Sequence, residues 1–471
     1  MRNRFCIVVT VALALGGCSR TPTATSVLQD AQQAMGNPNT IQYSATGMNA
    51  FFGQALTAGQ EWPRRDLKSY TRAINYEQRS SREELNFAMP VFGGQQQNTE
   101  VSGDKAWNVG PSGPVPQPAA AEERQLLIWL TPHGFLKGAL ASGNATLTAG
   151  EGSNVVSFTA LGKYKVEGTI DATNHVTAVE TTTATPVLGD TKLVANYSDY
   201  KDFGGVQFPT RIRIDQGGFP LWELNVTSVM ANAPLDLPVP EAAQAATVPP
   251  VQTMTAMLAP GVWHITGGSH HSLVVEFKDY LAVIEAPLTE ERSMAVIAEA
   301  KKLAPNKPIR YLLTTHHHFD HTGGLRTYVA EGATIVTNQS NVPYFEKTVV
   351  APATVAPDMQ AKSPKPPMFQ GVADKTVITD GKQTIELYAN NGDAHTNEYT
   401  LIYLPGPRIL VEADAYSPGP VDAPIPPMPP PNAVKLYDEI QRLKLNVATI
   451  APIHGRGAVP MAEFRKFIGK A

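Results

Sequence analysis

The chain has 471 residues, of which 42% are hydrophobic and 17% charged, and its formal net charge is −4. At roughly 150 residues per domain, this length predicts two or three domains. The composition is that of a globular protein and argues against disorder as the dominant state. No basic run is present, which argues against a dedicated nucleic-acid binder.

The first residues have the pattern of a secretory signal. Arg2 and Arg4 precede the apolar run Phe5–Leu15, which is shorter than the roughly 20 residues needed to span a bilayer. Small residues follow, and the junction Leu15-Gly16-Gly17-Cys18 resembles a bacterial lipobox, in which the cysteine is lipidated. The alternative is an ordinary signal peptide. We therefore expect residues 1–17 to be a lipoprotein signal peptide.

The cysteine count supports the same interpretation. Cys6 would leave with the signal and Cys18 would carry the lipid, so the mature chain would have no disulfide and no cysteine ligand or nucleophile. Ser19 does not resemble an inner-membrane retention signal. We expect an exported protein anchored by lipid at Cys18 to the periplasmic side of the outer membrane; the alternative is a soluble periplasmic protein.

Residues 18–232 are predicted to form a β-rich domain. One helix is predicted at 119–130, and turn residues such as Asn174 separate the strands. The predicted strands are 40–46, 67–76, 154–160, 163–170, 192–197 and 222–229. The stretch Tyr200–Ile214 resembles the late strands of lipoprotein-carrier half-barrels. A generic antiparallel β domain that spaces the rest of the chain from the membrane is the alternative.

The pattern changes after a linker rich in proline and alanine at residues 233–251. In residues 252–471, strand-like runs alternate with helical ones, which predicts an α/β domain. Strands are predicted at 272–277, 280–285, 309–314, 334–337, 399–404, 408–413 and 448–451. Helices are predicted at 290–303 and from an Asn432 cap to about residue 444.

Nine of the 11 histidines follow residue 260, and four of them lie within the six residues His316–His321. Side chains alternate along an extended chain, so His316 and His318 should face the same way and His317 away from them. A turn after Phe319 would bring Asp320 and His321 back to the same point. Imidazoles with a carboxylate suit zinc or a similar metal. A histidine-rich surface tract would not explain the aspartate or the preceding strand.

The run from Thr314 to Gly324, Thr-Thr-His-His-His-Phe-Asp-His-Thr-Gly-Gly, resembles the signature of the metallo-β-lactamase superfamily. Three further positions match that family, each in order and beside a predicted strand: His395, Asp414 and His454. The resemblance covers residues 262–457. By this resemblance, the first metal site is His316, His318 and His395, the second is Asp320, His321 and His454, and Asp414 bridges them.

The resemblance implies a four-layer αββα domain that holds two divalent metal ions, most simply Zn²⁺. It implies a hydrolase in which a hydroxide held by the metals attacks an ester, lactone, amide or phosphoryl group of a small molecule. Asp320 and Asp414 are the candidate catalytic residues, and Asp320 would orient the hydroxide or accept its proton. Glu285 stands where the family usually has an aspartate that holds a metal ligand.

Asp414 also bears on the substrate, because classical metallo-β-lactamases have Cys or Ser at that position. Aspartate resembles the glyoxalase II, lactonase and phosphodiesterase branches, so β-lactam hydrolysis is an alternative here. A second alternative is oxidation by one iron, as in persulfide dioxygenases. A third alternative is a lipid- or lipoprotein-binding module in which the metal domain is catalytically inactive. The complete set of metal ligands argues against an inactive metal domain.

Loops around the metals should select the substrate. His270 and His271 precede a predicted strand and are candidates for contacting substrate or a ligand; the alternative is a polar turn. Tyr416 is a candidate pocket residue. Residues 352–367 and 417–431 are proline-rich and are candidate lids or plain surface loops.

Overall fold

The computed structural model describes residues 21–89, 93–392 and 395–470. The predicted signal peptide and Cys18 lie outside these residues. Among the described helices, none combines the length and the apolar character needed to cross a membrane.

The N-terminal part is built on one open antiparallel sheet of 13 strands. Its first strand, Thr40–Ala50, pairs with its last, Phe219–Ala231, in the middle of the sheet, and the edge strands are Gly113–Pro116 and Thr146–Ala149. The other strands are Arg64–Asn75, Ser80–Met89, Gly93–Ser102, Lys105–Gly110, Ser153–Ala160, Tyr164–Asp171, Val176–Thr185, Gly189–Asp202 and Gln207–Gln216. The predicted antiparallel β domain is therefore confirmed.

Three helices pack against this sheet: Ala24–Met35, Ala121–Trp129 and Pro132–Ser142. A 3₁₀ turn at Pro118–Ala120 leads into the second. The second helix is the one that the sequence pattern predicts; the first and third helices were not predicted. Their signals are local: Thr23 caps the first helix, and Thr131 caps the third with proline at its first position. The apolar faces of these helices and one face of the sheet form a single core.

The segment predicted as a linker is partly packed. It contains the short helix Glu241–Gln244, and Leu237 and Ala243 are buried. The Leu235 carbonyl accepts a hydrogen bond from the Asn75 side chain of the sheet. Proline stiffness and these contacts hold this segment against the N-terminal sheet.

The C-terminal part contains two sheets of seven and six strands. The first sheet runs in sequence order, with antiparallel pairing up to Leu281–Ile284 and parallel pairing after it. Its strands are Met254–Ala259, Val262–Thr266, Ser272–Glu276, Leu281–Ile284, Ile309–Leu313, Thr334–Asn338 and Met368–Val372. The second contains Lys375–Thr379, Thr384–Asn391, Glu398–Leu404, Ile409–Glu412, Thr449–Pro452 and Val459–Pro460.

The two sheets pack face to face through one apolar core, to which Leu313 and Val411 contribute from opposite sheets. Helices cover both outer faces, so the layers run helix, sheet, sheet, helix. The helices are Glu290–Leu303, Phe319–Thr322, Leu325–Glu331, Val342–Thr348, Met359–Lys362, Pro431–Arg442 and Met461–Phe467, with a 3₁₀ turn at Gln339–Asn341. The predicted four-layer αββα fold is confirmed.

The helix at 290–303 has the predicted bounds. Asn432 does not cap the later helix, because that helix starts at Pro431 and Pro430 is its N-cap, without a side-chain hydrogen bond. Proline at the first helical position has a suitable fixed φ, so the helix starts there without a polar cap.

Candidate metal centre

Each matched histidine and aspartate lies next to the end of a strand. The His316–His321 run follows Ile309–Leu313, and Asp320 and His321 sit in the one-turn helix Phe319–Thr322, which provides the expected turn. His395 precedes the strand Glu398–Leu404. Asp414 follows Ile409–Glu412, and His454 follows Thr449–Pro452. The Thr400 amide donates to the Thr315 carbonyl across the two sheets, which brings these strand ends together.

The side chains form two groups with no member in common, and within each group the nearest nitrogen and oxygen atoms all lie within 4.8 Å of one another. A third group of the same kind, His316, His321 and Asp414, joins these two. The first group is His316, His318 and His395, as the resemblance implied. The second contains Asp320, His321 and His454, and it also includes His270. His270 Nε2 lies 3.1 Å from Asp320 Oδ2, and an isolated β-bridge pairs His270 with His454.

Asp414 lies between the two groups. Its Oδ2 is 2.8 Å from His321 Nε2, 3.4 Å from His316 Nε2 and 3.3 Å from His395 Nε2. Its Oδ1 is 3.0 Å from His454 Nε2. One carboxylate therefore faces histidines of both groups, which is the position a bridging ligand needs.

The donor set fits divalent metal ions. His316 Nε2 and His318 Nδ1 are buried and make no hydrogen bond within the described part of the chain. His454 Nε2 lies 3.2 Å from His321 Nε2, and two imidazole nitrogens face each other favourably only when a proton or another cation lies between them. Imidazole and carboxylate donors are the ligands that zinc prefers.

Glu285 holds one of the histidines through a buried hydrogen bond. His321 Nδ1–H donates to Glu285 Oε2 at 2.7 Å, which orients the ring so that His321 Nε2 lies 2.8 Å from Asp414 Oδ2. The other carboxylate oxygen accepts from the Thr315 amide at 2.6 Å. The glutamate thus makes the contact for which the family usually has an aspartate.

Glu285 and Asp414 both have a positive φ, 70° and 63° respectively. Such angles are uncommon outside glycine and persist where the surrounding structure enforces them. Here each angle turns a carboxylate into the histidine cluster directly after a strand.

Electrostatics at the centre favour the neutral forms of His316 and His318 and positive charge near Asp414. Burial lowers the pKa of His316 well below its usual value, and burial together with His395 lowers the pKa of His318 to about 3. Burial alone would raise the pKa of Asp414, but the charge and hydrogen bond of His321 outweigh it and hold this pKa well below the usual range. For His321, burial is outweighed by Asp414 and Glu285, so its pKa is raised.

Sequence reasoning missed a contribution from the N-terminal part. Gln54 Nε2 donates to Asp320 Oδ1 at 2.7 Å. The Ala55 carbonyl accepts from Nε2 of both His317 and His318, at 2.8 and 2.9 Å. His317 faces away from the metal groups, as expected. No sequence signal could have found Gln54 or Ala55, because more than 250 residues separate them from the histidine run.

The remaining candidate residues and segments lie outside the two groups of clustered side chains. His271 donates through Nε2 to the Gly455 carbonyl at 2.7 Å and so braces the turn after His454. The Tyr416 side chain is buried and packs against Phe464 and Phe467. The segment that follows Asp414 carries the helix Pro431–Arg442 at its end, and exposed apolar residues precede that helix: Val421, Ile425 and Met428.

Residues 352–367 are held in place rather than free. Arg326 donates to the carbonyls of Val349 and Ala351 and pairs with Asp358. Asp190 of the N-terminal sheet accepts from the Thr354 amide and hydroxyl, both at 2.7 Å. These contacts fix the segment between the two parts of the chain.

The sequence profile of the Metallo-beta-lactamase superfamily matches residues 265–454. A search of curated proteins finds no match. Similar solved structures include a metallo-beta-lactamase from Pontibacter korlensis at 19% identity, covering 46% of this chain and 98% of that one with a TM-score of 0.35. Another, from Hirschia baltica, has 16% identity, coverages of 46% and 95% and a TM-score of 0.34. FIM-1 from Pseudomonas aeruginosa, in a mono-zinc form, has 20% identity, coverages of 47% and 94% and a TM-score of 0.34. On the profile match, residues 265–454 form a domain of the metallo-beta-lactamase superfamily.

Proposed function

We propose that this protein is a metal-dependent hydrolase that uses two divalent ions, most simply Zn²⁺, on a small-molecule ester, lactone, amide or phosphoryl compound. The observation that carries the proposal is the convergence of the seven matched side chains, in which buried His316 Nε2 and His318 Nδ1 have no hydrogen-bond partner among the described residues. Buried polar atoms usually have a partner, so such a pair in one cluster implies a ligand.

His316, His318 and His395 would hold one ion, and Asp320, His321 and His454 the other, with Asp414 shared between them. Ions held there would supply a hydroxide nucleophile at neutral pH and polarise the oxygen of the substrate.

The protein's own groups would keep this centre ordered. Glu285 fixes the tautomer of His321, so Nε2 faces inward. His270 holds Asp320 through Oδ2. Asp320 is half-buried at the edge of the cluster, where a carboxylate can orient an attacking water or accept its proton.

Metal content tests the proposal directly. We expect the purified protein to contain about two zinc ions by elemental analysis and to hydrolyse at least one member of a panel of esters, lactones, β-lactams and phosphodiesters. A paired His316→Ala and His318→Ala variant should lose metal from the first site and at least about 1,000-fold in kcat/KM.

The matched control for that experiment is His175→Ala, which removes a histidine from the turn before the strand Val176–Thr185 of the N-terminal sheet. Full activity in the paired variant would contradict the proposal. A single iron would also contradict it, and would favour an oxygenase tested by oxygen consumption with thiols.

We propose in addition that the protein is exported and held by lipid at Cys18 on the periplasmic side of the outer membrane. The charge and apolar run of residues 2–15 and the position of Cys18 support this. A Cys18→Ser variant should move from the membrane fraction to the soluble fraction of cells. Equal distribution of the two proteins would contradict the lipid anchor.

A further inference from the structure

One loop of the N-terminal sheet reaches the candidate metal centre. It runs from Phe51 to Pro63, between the strands Thr40–Ala50 and Arg64–Asn75. We call it the inserted loop. Its backbone is hydrogen-bonded to the metal-binding part on two sides. The Phe319 amide donates to the Gly53 carbonyl at 3.2 Å, and the Asn397 amide donates to the Leu56 carbonyl at 2.7 Å.

Aromatic packing fixes this loop against the one-turn helix that carries Asp320. Phe319 packs edge-on against Phe52 and Trp62, with ring centroids 5.3 and 6.4 Å away. Gly53 has a φ of 76°, and a Cβ atom there would lie 2.6 to 2.7 Å from Phe319 side-chain atoms. The position therefore requires glycine for its backbone angle and for space. The close fit indicates a defined contact between the two parts of the chain.

The backbone of the inserted loop selects the ring nitrogen that His318 presents. A carbonyl oxygen can only accept, so the bond from His318 Nε2 to Ala55 places the proton on Nε2. The lone pair then lies on Nδ1, which is the buried nitrogen that has no hydrogen-bond partner in the part of the chain that the structure describes. Metal-binding histidines commonly donate their other ring N–H to a carbonyl or carboxylate in this way.

A side chain of the inserted loop acts on the second group. Gln54 Nε2 donates to Asp320 Oδ1, whereas Oδ2 is the oxygen that faces His270 and His321, at 3.1 and 3.7 Å. The amide thus holds the outer oxygen of the carboxylate and directs the inner one towards the cluster. Gln54 is half-buried, so this bond is partly shielded from water.

We propose that the inserted loop is part of the metal centre, with Gln54 as a positioning residue that orients Asp320 for the second metal and the Ala55 carbonyl as the group that fixes His318. The N-terminal sheet then completes the catalytic unit. This inference rests on the proposed metal-dependent function, because it assigns Gln54 a role towards a metal ligand.

The test is a cobalt titration of the metal-free full-length protein, followed by the visible absorption of bound Co²⁺. Gln54→Met keeps the volume of the side chain and removes its donor, and Gln54→Ala removes the donor without adding volume. Gln60→Met is the matched control, because Gln60 is an exposed glutamine of the same loop whose side chain makes no hydrogen bond to any described residue.

We expect wild type and Gln60→Met to bind two equivalents. Both Gln54 variants should bind the first equivalent normally and the second at least about 10-fold more weakly, with a changed spectrum for that step. Their metal-free melting temperatures should match that of Gln60→Met, because the effect requires the metal and not the fold.

The possible outcomes distinguish the role of the inserted loop from the proposed metal-dependent function. If wild type binds two equivalents and the Gln54 variants bind both as tightly, with the same spectra, the role of the loop is overturned and the proposed function stands. If the Gln54 variants lose stability in the metal-free state by as much as they lose metal affinity, the positioning role is also overturned. If wild type binds no cobalt, the proposed function fails and this inference fails with it.

Discussion

Buried histidines occur in both parts of the molecule, and their surroundings differ. In the N-terminal part, His133 is buried, donates through Nε2 to the Met35 carbonyl and stacks on Phe208. In the C-terminal part, His316 and His318 are buried beside other histidines and Asp414. Each of the three rings has one buried nitrogen without a hydrogen-bond partner within residues 21–89, 93–392 and 395–470.

The difference teaches that an unpartnered imidazole nitrogen does not by itself indicate a metal site. His133 lies among apolar core residues of the described chain. One buried ring nitrogen without a partner there costs free energy, and the surrounding packing offsets that cost. At the C-terminal strand ends, several such atoms converge with carboxylates, and convergence is what a metal ion requires. The comparison can be tested by perturbing each part separately.

Metal removal should have the largest effect, and it should be confined to the C-terminal part. If each ion is present at about 100 times its Kd, binding stabilises the folded state by about 2.7 kcal/mol per ion, or about 5 kcal/mol for two. Chelation should therefore increase amide hydrogen exchange in the strands Ile309–Leu313 and Ile409–Glu412. Exchange in Tyr164–Asp171, within the N-terminal sheet, serves as the internal control.

An equal rise in amide hydrogen exchange in both parts on chelation would contradict this expectation, because it would mean that the two parts unfold as one unit. Readdition of zinc should restore the original protection.

Lowering the pH should have a smaller effect, this time in the N-terminal part. Burial lowers the pKa of His133 to about 4 from its ordinary 6.5. Below pH 6.5 the unfolded chain therefore takes up a proton that the folded chain does not, and stability is lost as the pH falls towards 4. Between pH 7 and pH 5 this contributes a loss of about 2 kcal/mol.

A His133→Gln variant should lose that much less stability than wild type over the same pH interval, as measured by urea unfolding at both pH values. Its zinc content should equal that of wild type. An identical pH dependence in the two proteins would show that His133 is not responsible, and a loss of zinc would remove the distinction between the two kinds of buried histidine.

Short-range patterns carried most of what could be predicted. The alternation of apolar residues located the strands around the candidate site, and the spacing within His316–His321 indicated four of the clustered side chains because one strand end and one turn determine their geometry. The order of His395, Asp414 and His454 added the rest through the family resemblance.

Long-range packing explains what could not be predicted. Tyr416 is two residues from Asp414, but the chain turns between them and the ring packs under the final helix. The helix Ala24–Met35 is different, because its buried residues Val27, Leu28, Ala31 and Met35 follow helical spacing and Thr23 caps it, so local signals could have predicted it. The contact of Gln54 with Asp320 depends on how the two parts of the chain meet.

The hydrogen bond from His318 to Ala55 has a consequence for mutational surveys of this protein. The acceptor is a main-chain oxygen, so every amino acid at position 55 would still supply it. A survey that replaces side chains one at a time would therefore leave this acceptor in place. Its contribution would become visible in chains with residues deleted from or inserted into the loop, or with a backbone ester in place of the amide between residues 55 and 56, which weakens that carbonyl as an acceptor.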